Sequence, residues 1–360
     1  MISRKEIDRE VLQWMSEPWE EDSERFNDLA LKIFRHQNTH CSPYKSFCQS
    51  RGISSEIDTW RDIPVVPTTA FKEFSLRAFP KNYICKTFRT SGTTQSTRGE
   101  LHLDTLQLYE KSLRSSFERG LLPDVEGSAS IFLLAPSAEE VPDSSLSHMF
   151  SVMLRERGLP NSRWLVKEGE LLRDGCLEAL NEAQTCSHPV LFAGAAFAWV
   201  HLLEFLRSCS MDFKLSGKAR CMETGGFKGK VREVNRKTLY AEISSRLGIS
   251  TNMIVNQYGM TELGSQFYDS NIFLPGHPRK KMIPPWVRVQ ITDPITGTEC
   301  RLSELGIISI FDLANTGSIL AIQTSDVGKR TEGGFEVIGR SEFSDSRGCS
   351  IAIDEMLESQ

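Results

Sequence analysis

The sequence predicts an α/β protein in which βα units build a largely parallel sheet and a β-rich subdomain follows. Short apolar runs, Ile131 to Leu134 and Val190 to Phe192, each precede a stretch of helical periodicity. Such alternation marks parallel strands joined by crossover helices. After about residue 285 the texture changes to Val287-Arg288-Val289-Gln290-Ile291 and Gly306-Ile307-Ile308-Ser309-Ile310, with turns at Asp293-Pro294 and Thr296-Gly297. That pattern reads as a barrel or an antiparallel subdomain. The 360 residues are ample for a sizeable core, and at ~150 residues per domain they make about two domains or one large one.

The elements follow in order. Phe26, Leu29, Ala30, Ile33 and Phe34 fall at i, i+3, i+4, i+7 and i+8, with charge on the other face, and predict an amphipathic helix. The run Ile63-Pro64-Val65-Val66-Pro67 is expected to break regular structure, because each proline removes a donor and restricts its neighbour. Next comes the hydroxyl-rich loop Thr87-Phe88-Arg89-Thr90-Ser91-Gly92-Thr93-Thr94-Gln95-Ser96, flanked by strand-like residues. Ala195 to Arg207 carries Phe197, Val200, Leu203 and Leu206 on one stripe, a second helix. The stretch beyond Gly339 is well under the ~40 residues usually needed to fold alone.

Composition excludes several classes. Lys and Arg number 42 against 47 Asp and Glu, a net charge of −5. A grip on nucleic acid or an anionic membrane needs a basic face, so neither partner is expected. The nine cysteines (41, 48, 85, 176, 186, 209, 221, 300 and 349) form no C-x-x-C pair and read as reduced thiols. The opening Met1-Ile-Ser-Arg-Lys-Glu is charged rather than apolar, unlike a signal peptide. The longest uncharged apolar stretch, Val190 to Leu203, falls short of the ~18–20 residues of a membrane span. A cytoplasmic protein without a span is expected.

Among motifs, G-x-x-x-x-G-K-[ST] and G-x-S-x-G are both missing, which excludes a P-loop NTPase and a hydrolase nucleophile elbow. His201-Leu-Leu-Glu204 lacks the second histidine of a zinc helix, and Cys186-Ser-His188 reads as structural. Thr90-Ser91-Gly92-Thr93-Thr94 is different: hydroxyls around a glycine can wrap a polyphosphate with neutral donors. Three segments follow it. Glu223-Thr224-Gly225-Gly226-Phe227 is a glycine turn suited to a flat base against backbone. Gln257-Tyr258-Gly259-Met260-Thr261-Glu262 places an aromatic face, a glycine and a carboxylate together, and Mg²⁺ favours one or two carboxylates plus substrate phosphates. Gln323-Thr324-Ser325-Asp326-Val327-Gly328 reads as a strand ending in an aspartate that can accept from ribose hydroxyls.

These four segments, in this order, resemble the ANL adenylate-forming superfamily, and more narrowly its LuxE-like acyl-protein synthetase branch, near the phenylacetate–CoA ligases. The Thr-Ser-Gly-Thr-Thr loop is similar to the superfamily's phosphate-binding motif, and Tyr258-Gly259-Met260-Thr261-Glu262 to its Y-G-x-T-E motif. Asp326 matches the ribose-binding aspartate and Gly339-Arg340 the start of the hinge. Trp60-Arg61-Asp62-Ile63-Pro64, Pro67-Thr68-Thr69-Ala70-Phe71-Lys72 and Arg347-Gly348-Cys349-Ser350 also look LuxE-like. There are departures. The loop ends Gln95-Ser96 without the usual Gly, Pro and Lys, and Ser341-Glu342-Phe343-Ser344-Asp345 only partly follows the hinge pattern.

The resemblance implies an ANL-type large adenylation domain, layered α/β sheets plus the β-rich subdomain, without a full C-terminal lid domain. Its core would span 1–339, with 285–339 β-rich and 340–360 as hinge residue and tail. It implies ATP-dependent activation of a carboxylic acid, expected to be fatty, as an acyl-adenylate that is then passed to a thiol. Thr90, Ser91, Gly92, Thr93 and Thr94 would hold the β- and γ-phosphates, Glu262 the Mg²⁺, and Thr261 the α-phosphate region. Asp326 would hold the ribose, Gly225, Gly226 and Tyr258 would bracket the adenine, and Gly259 and Arg340 would flank the nucleotide. Cys349 would be the acyl-accepting thiol. Partners would be the acid and an acyl-accepting or acyl-reducing protein, or coenzyme A. A stand-alone ligase passing an aryl or small acid to coenzyme A or a carrier protein stays open, as does a degenerate nucleotide-binding scaffold.

Overall fold

The Asp22 carboxylate accepts the amide of Arg25 at 2.9 Å and so caps the helix Ser23–His40, satisfying one of the donors a helix start leaves free. The stripe from Phe26 to Phe34 is buried along this helix, as its spacing requires. The computed structural model describes residues 3–91, 97–225, 235–340 and Met356. The chain forms two compact units, Met1–Ser115 with Met260–Gln266 and Lys280–Gln360, and Ser116–Gly259 with Phe267–Arg279.

The second unit is built on a six-stranded sheet. Its order is Phe267–Tyr268, Ile254–Tyr258, Ala219–Thr224, Val190–Ala195, Ser130–Leu134, Arg163–Trp164, and every neighbouring pair is parallel except the first. Ser130–Leu134 and Ala219–Thr224 are buried throughout; the first is accordingly a near-continuous apolar run, while the second carries Arg220 and Glu223 into the interior. The helix Ala196–Ser208 follows its strand directly, and Trp199 Nε1 fixes it to the sheet by donating to the Met222 carbonyl at 2.9 Å. At the junction, a Cβ on Gly194 would lie 2.6 Å from both the Cβ and the carbonyl oxygen of Leu134, so only glycine fits. Ala193 and Ala196 are packed into the core there and leave no opening at their side chains.

One buried cation sits in that sheet. Arg220 is 1% exposed and donates to both oxygens of Asp124, at 2.6 and 3.2 Å, and to the Leu121 carbonyl at 2.8 Å. The Arg220 hydrogen bonds hold the Asp124 carboxyl below the usual carboxylate range.

In the first unit, Val287–Thr292, Leu305–Asp312, Ala321–Thr331 and Gly334–Arg340 pair antiparallel in turn. Val66–Pro67, expected to lie outside regular structure, instead pairs parallel with Ile322 and Gln323. It is an edge strand, where a proline's missing donor is tolerated. The strand expected to end at Asp326 continues to Thr331, because Gly334–Arg340 folds back and supplies partners from Thr331 to Asp326.

Candidate active site

Lys86–Arg89 and Glu100–Leu103 pair antiparallel, and Thr90 and Ser91 follow directly on the first of these strands. The Thr90 amide donates to the Gly99 carbonyl and the Gly99 amide to the Thr90 hydroxyl, both at 2.9 Å. The Thr90 hydroxyl is therefore committed to Gly99, while Ser91 beside it is exposed. Arg98 donates Nε to the Thr90 carbonyl at 2.6 Å and a second nitrogen to the Arg89 carbonyl at 3.3 Å. It places a cation beside a segment, 90–97, whose sequence has no lysine. Gly92, Thr93 and Thr94 lie outside the described residues, as do Gly226 and Cys349.

In the second unit, Thr224 and Gln257 face each other across adjacent parallel strands. Gly225 and Tyr258 therefore stand at neighbouring carboxyl ends, the edge where α/β sheets bind ligands. Gly225 takes φ +76°, a left-handed turn that favours glycine, and among the described residues an added Cβ would meet nothing within 4 Å. The backbone there carries no side chain, which suits a flat base. Tyr258 is half-buried, with its ring tilted against Phe267 at 6.0 Å. Thr224 donates its hydroxyl to the side-chain and main-chain oxygens of Gln257, tying the two strand ends together.

Behind that edge is a buried polar group that the sequence did not disclose. Glu223, read as part of a glycine turn, is the buried penultimate residue of its strand, 1% exposed. Its Oε1 receives Tyr240 Oη and Asn256 Nδ2, each at 2.8 Å, with Arg236 Nε 3.0 Å away.

The Y-G-x-T-E segment straddles the units, with Tyr258 and Gly259 in the second and Thr261 and Glu262 in the first. Thr261 and Glu262 are both buried, and the Glu262 carbonyl accepts Asn315 Nδ2 at 2.8 Å. Asp326, also in the first unit, lies within the register shift between Gln323 and Val327, with a second shift following at Val327–Gly328, and such irregularities re-aim side chains. Its amide donates to the Thr324 hydroxyl at 3.1 Å, and its carboxylate is 3.7 Å from Arg340 Nε. Asp326 and Arg340, expected to serve the ribose and the hinge, are thus an ion pair. On the same strand Lys329 is paired with Glu336 at 3.2 Å.

The fit to the implied groups rests on these observations. A nearly buried carboxylate on a held main chain, that of Glu262, matches Mg²⁺, which draws its other ligands from phosphates and water. Among the described residues no group of three or more His, Cys, Asp or Glu could hold a metal by itself. A cleft of about 280 Å³ between Ala198–Ser208 and the Val166–Leu171 hairpin contains none of the residues expected to hold the nucleotide and mixes Arg173 and His201 with Glu170 and Glu204. No helix among the described residues is long and apolar enough to cross a membrane.

The family described as "Acyl-protein synthetase, LuxE" matches residues 1–358. The long-chain-fatty-acid–luciferin-component ligase of Aliivibrio fischeri is 20% identical over 372 aligned positions, covering 99% of this chain and 96% of that one. Among solved structures, a 2-hydroxyisobutyryl-CoA ligase in complex with 2-HIB-AMP and CoA aligns with TM-score 0.65 and 13% identity, over 94% of this chain and 69% of that one. The chain spans about half the length, 51%, of ATP-bound MatB from Rhodopseudomonas palustris, with 81% of this chain aligned at 16% identity and TM-score 0.49.

Proposed function

The chain belongs to the LuxE family of acyl-protein synthetases, and from that premise we propose that it joins a carboxylic acid to a thiol at the expense of ATP. In the first step a carboxylate oxygen attacks the α-phosphorus. An acyl–O–phosphorus bond forms, the bond to the bridging oxygen breaks, and pyrophosphate leaves with its electron pair. In the second step a thiolate attacks the acyl carbon, a carbon–sulfur bond forms, and AMP leaves. The name of the Aliivibrio fischeri relative supports a long-chain fatty acid as substrate.

The observation that carries the reading is the placement of Gly225 and Tyr258 at adjacent carboxyl ends of a parallel sheet, in a chain matched to the family along its length. Gly225 offers bare backbone and Tyr258 an aromatic face to the adenine. Asp326 accepts from the ribose hydroxyls once it turns from Arg340. Ser91 and the loop it opens donate to the β- and γ-phosphates, and Thr261 to the α-phosphate. Mg²⁺ held by Glu262 supplies charge neutralisation at the triphosphate. The chain's own part is positioning and fixed dipoles, the terms that dominate such displacements. Cys349 is the acyl acceptor in this reading.

The test is ATP–pyrophosphate exchange with a panel of acids from acetate through long-chain fatty acids to benzoates. Exchange should rise with chain length, AMP should be the nucleotide product, and Glu262→Ala should lower the rate ~10²-fold or more. ADP as product would overturn the reading.

A further inference from the structure

The loop joining Leu305–Asp312 to Ala321–Thr331 is buried from Leu313 to Leu320. Connecting segments ordinarily run over the surface, because buried backbone polar groups must find partners. This loop finds them on two sides. On one side Gln37, from the helix Ser23–His40, donates Nε2 to the Asn315 carbonyl at 2.7 Å and accepts the Leu320 amide at 3.1 Å. On the other side the loop holds the segment from Glu262 to Ser265.

That hold has two anchors. Asn315 Nδ2 donates to the main-chain carbonyls of Glu262, at 2.8 Å, and Ile319, at 3.2 Å. Asp312 Oδ1 accepts the Ser265 hydroxyl at 2.7 Å and the Ala314 amide at 3.0 Å. Between the anchors Gly264 lies so close that a Cβ would sit 2.7 Å from Ala314 Cβ and 2.9 Å from Asn315 Oδ1. The approach demands glycine.

We propose that Asn315 is a positioning residue for Glu262: backed by Gln37, and with Ser265 pinned to Asp312, it fixes the main chain that carries the Glu262 carboxylate. This rests on Glu262 serving the Mg²⁺–triphosphate, as proposed above. At 1% exposure, Asn315 has its donors committed to two carbonyls and acts through Glu262 rather than on the nucleotide. Groups that orient a metal-binding residue commonly alter metal affinity or activity ~10–100-fold when removed.

Wild type, Asn315→Ala, Asn315→Asp, Gln37→Met and Glu262→Ala are compared in ATP–pyrophosphate exchange across a Mg²⁺ titration, with Tm measured for each. Asn315→Ala should raise the Mg²⁺ concentration for half-maximal exchange ~10-fold. Asn315→Asp, of the same shape but presenting acceptors to two carbonyls, should do at least as badly. Gln37→Met, one contact further back, should move the same quantity in the same direction by a smaller factor, and it carries the test alone if the Asn315 variants do not fold. A purely structural role lowers Tm and leaves the Mg²⁺ dependence of the folded fraction unchanged. That result, with Glu262→Ala inactive, overturns the inference. If Glu262→Ala matches wild type instead, it is the assignment of Glu262 that fails.

Discussion

Tyr240 donates its hydroxyl to the Glu223 carboxylate at 2.8 Å, and both side chains are buried behind the carboxyl edge of the parallel sheet. An ionised carboxylate removed from water is costly unless donors surround it. Here a single oxygen collects Tyr240, Asn256 and the nearby Arg236. Burial, and then the Glu223 charge, pushes the Tyr240 phenol well above its ordinary range, so it stays a donor.

Tyr240→Phe removes one donor from that buried oxygen and nothing else of comparable size. Unfolding in urea should show a loss of about 1–3 kcal/mol, the cost of leaving a buried acceptor short. Since Glu223 lies two residues before Gly225, the affinity for ATP should weaken as well.

Gly225→Ala meets no steric obstacle among the described residues but forces an L-residue to φ +76°. The expected loss of stability is about 1 kcal/mol. The larger effect should be on nucleotide binding, a rise in the KM for ATP, because the turn's backbone is the proposed seat of the base. Steady-state kinetics on the folded variant checks this; an unchanged KM would remove Gly225 from the site.

Gly120→Ala sets two effects against each other. In the helix Gln107–Leu121 alanine is favoured by about 1 kcal/mol. Its Cβ, however, would lie 2.4 Å from Tyr268 Cβ and 2.5 Å from Cγ, in the body of the ring's attachment rather than at a flexible tip. Overpacking of this kind costs ~1–3 kcal/mol, so the net change in Tm should be downward.

Burial pushes the Asp312 carboxyl up to about 6, against the Ser265 hydroxyl and nearby amides that pull it down. Between the unfolded value near 3.9 and the folded value the native state holds a proton that the unfolded chain has lost. Stability from this group is therefore present at low pH and is lost as pH rises through about 6. Asp312→Asn abolishes the titration while keeping an acceptor for Ser265. The stability of wild type relative to this variant should fall by roughly 2–3 kcal/mol between pH 4 and pH 7.5. Taking the difference cancels His36, whose burial holds it down to about 4 and whose contribution runs the opposite way.

Incubation with ATP and a labelled fatty acid should leave a hydroxylamine-labile label on the protein. Cys349→Ala should lose that label while still forming adenylate and pyrophosphate. A label retained in Cys349→Ala would move the acceptor to another thiol.

Much of this protein is set by local sequence. The apolar runs at Ile131 and Val190 become buried parallel strands because no face of them is left for water. Phe26 to Phe34 makes one face of a helix through its spacing alone. The ordered motifs, from Thr90 through Tyr258 to Asp326, announce the family because each is a short backbone device read residue by residue. Tertiary structure decided what local pattern cannot carry. Glu223 reads as the start of a turn, yet it is a buried acceptor whose partners come from a later helix and a neighbouring strand. Asn315 belongs to no sequence motif, yet it holds a carbonyl 53 positions away and is itself held by Gln37, 278 positions away. A hydrogen bond between distant residues leaves no periodicity in the chain; it exists only after sheet pairing has brought the segments together and burial has removed water as the alternative partner.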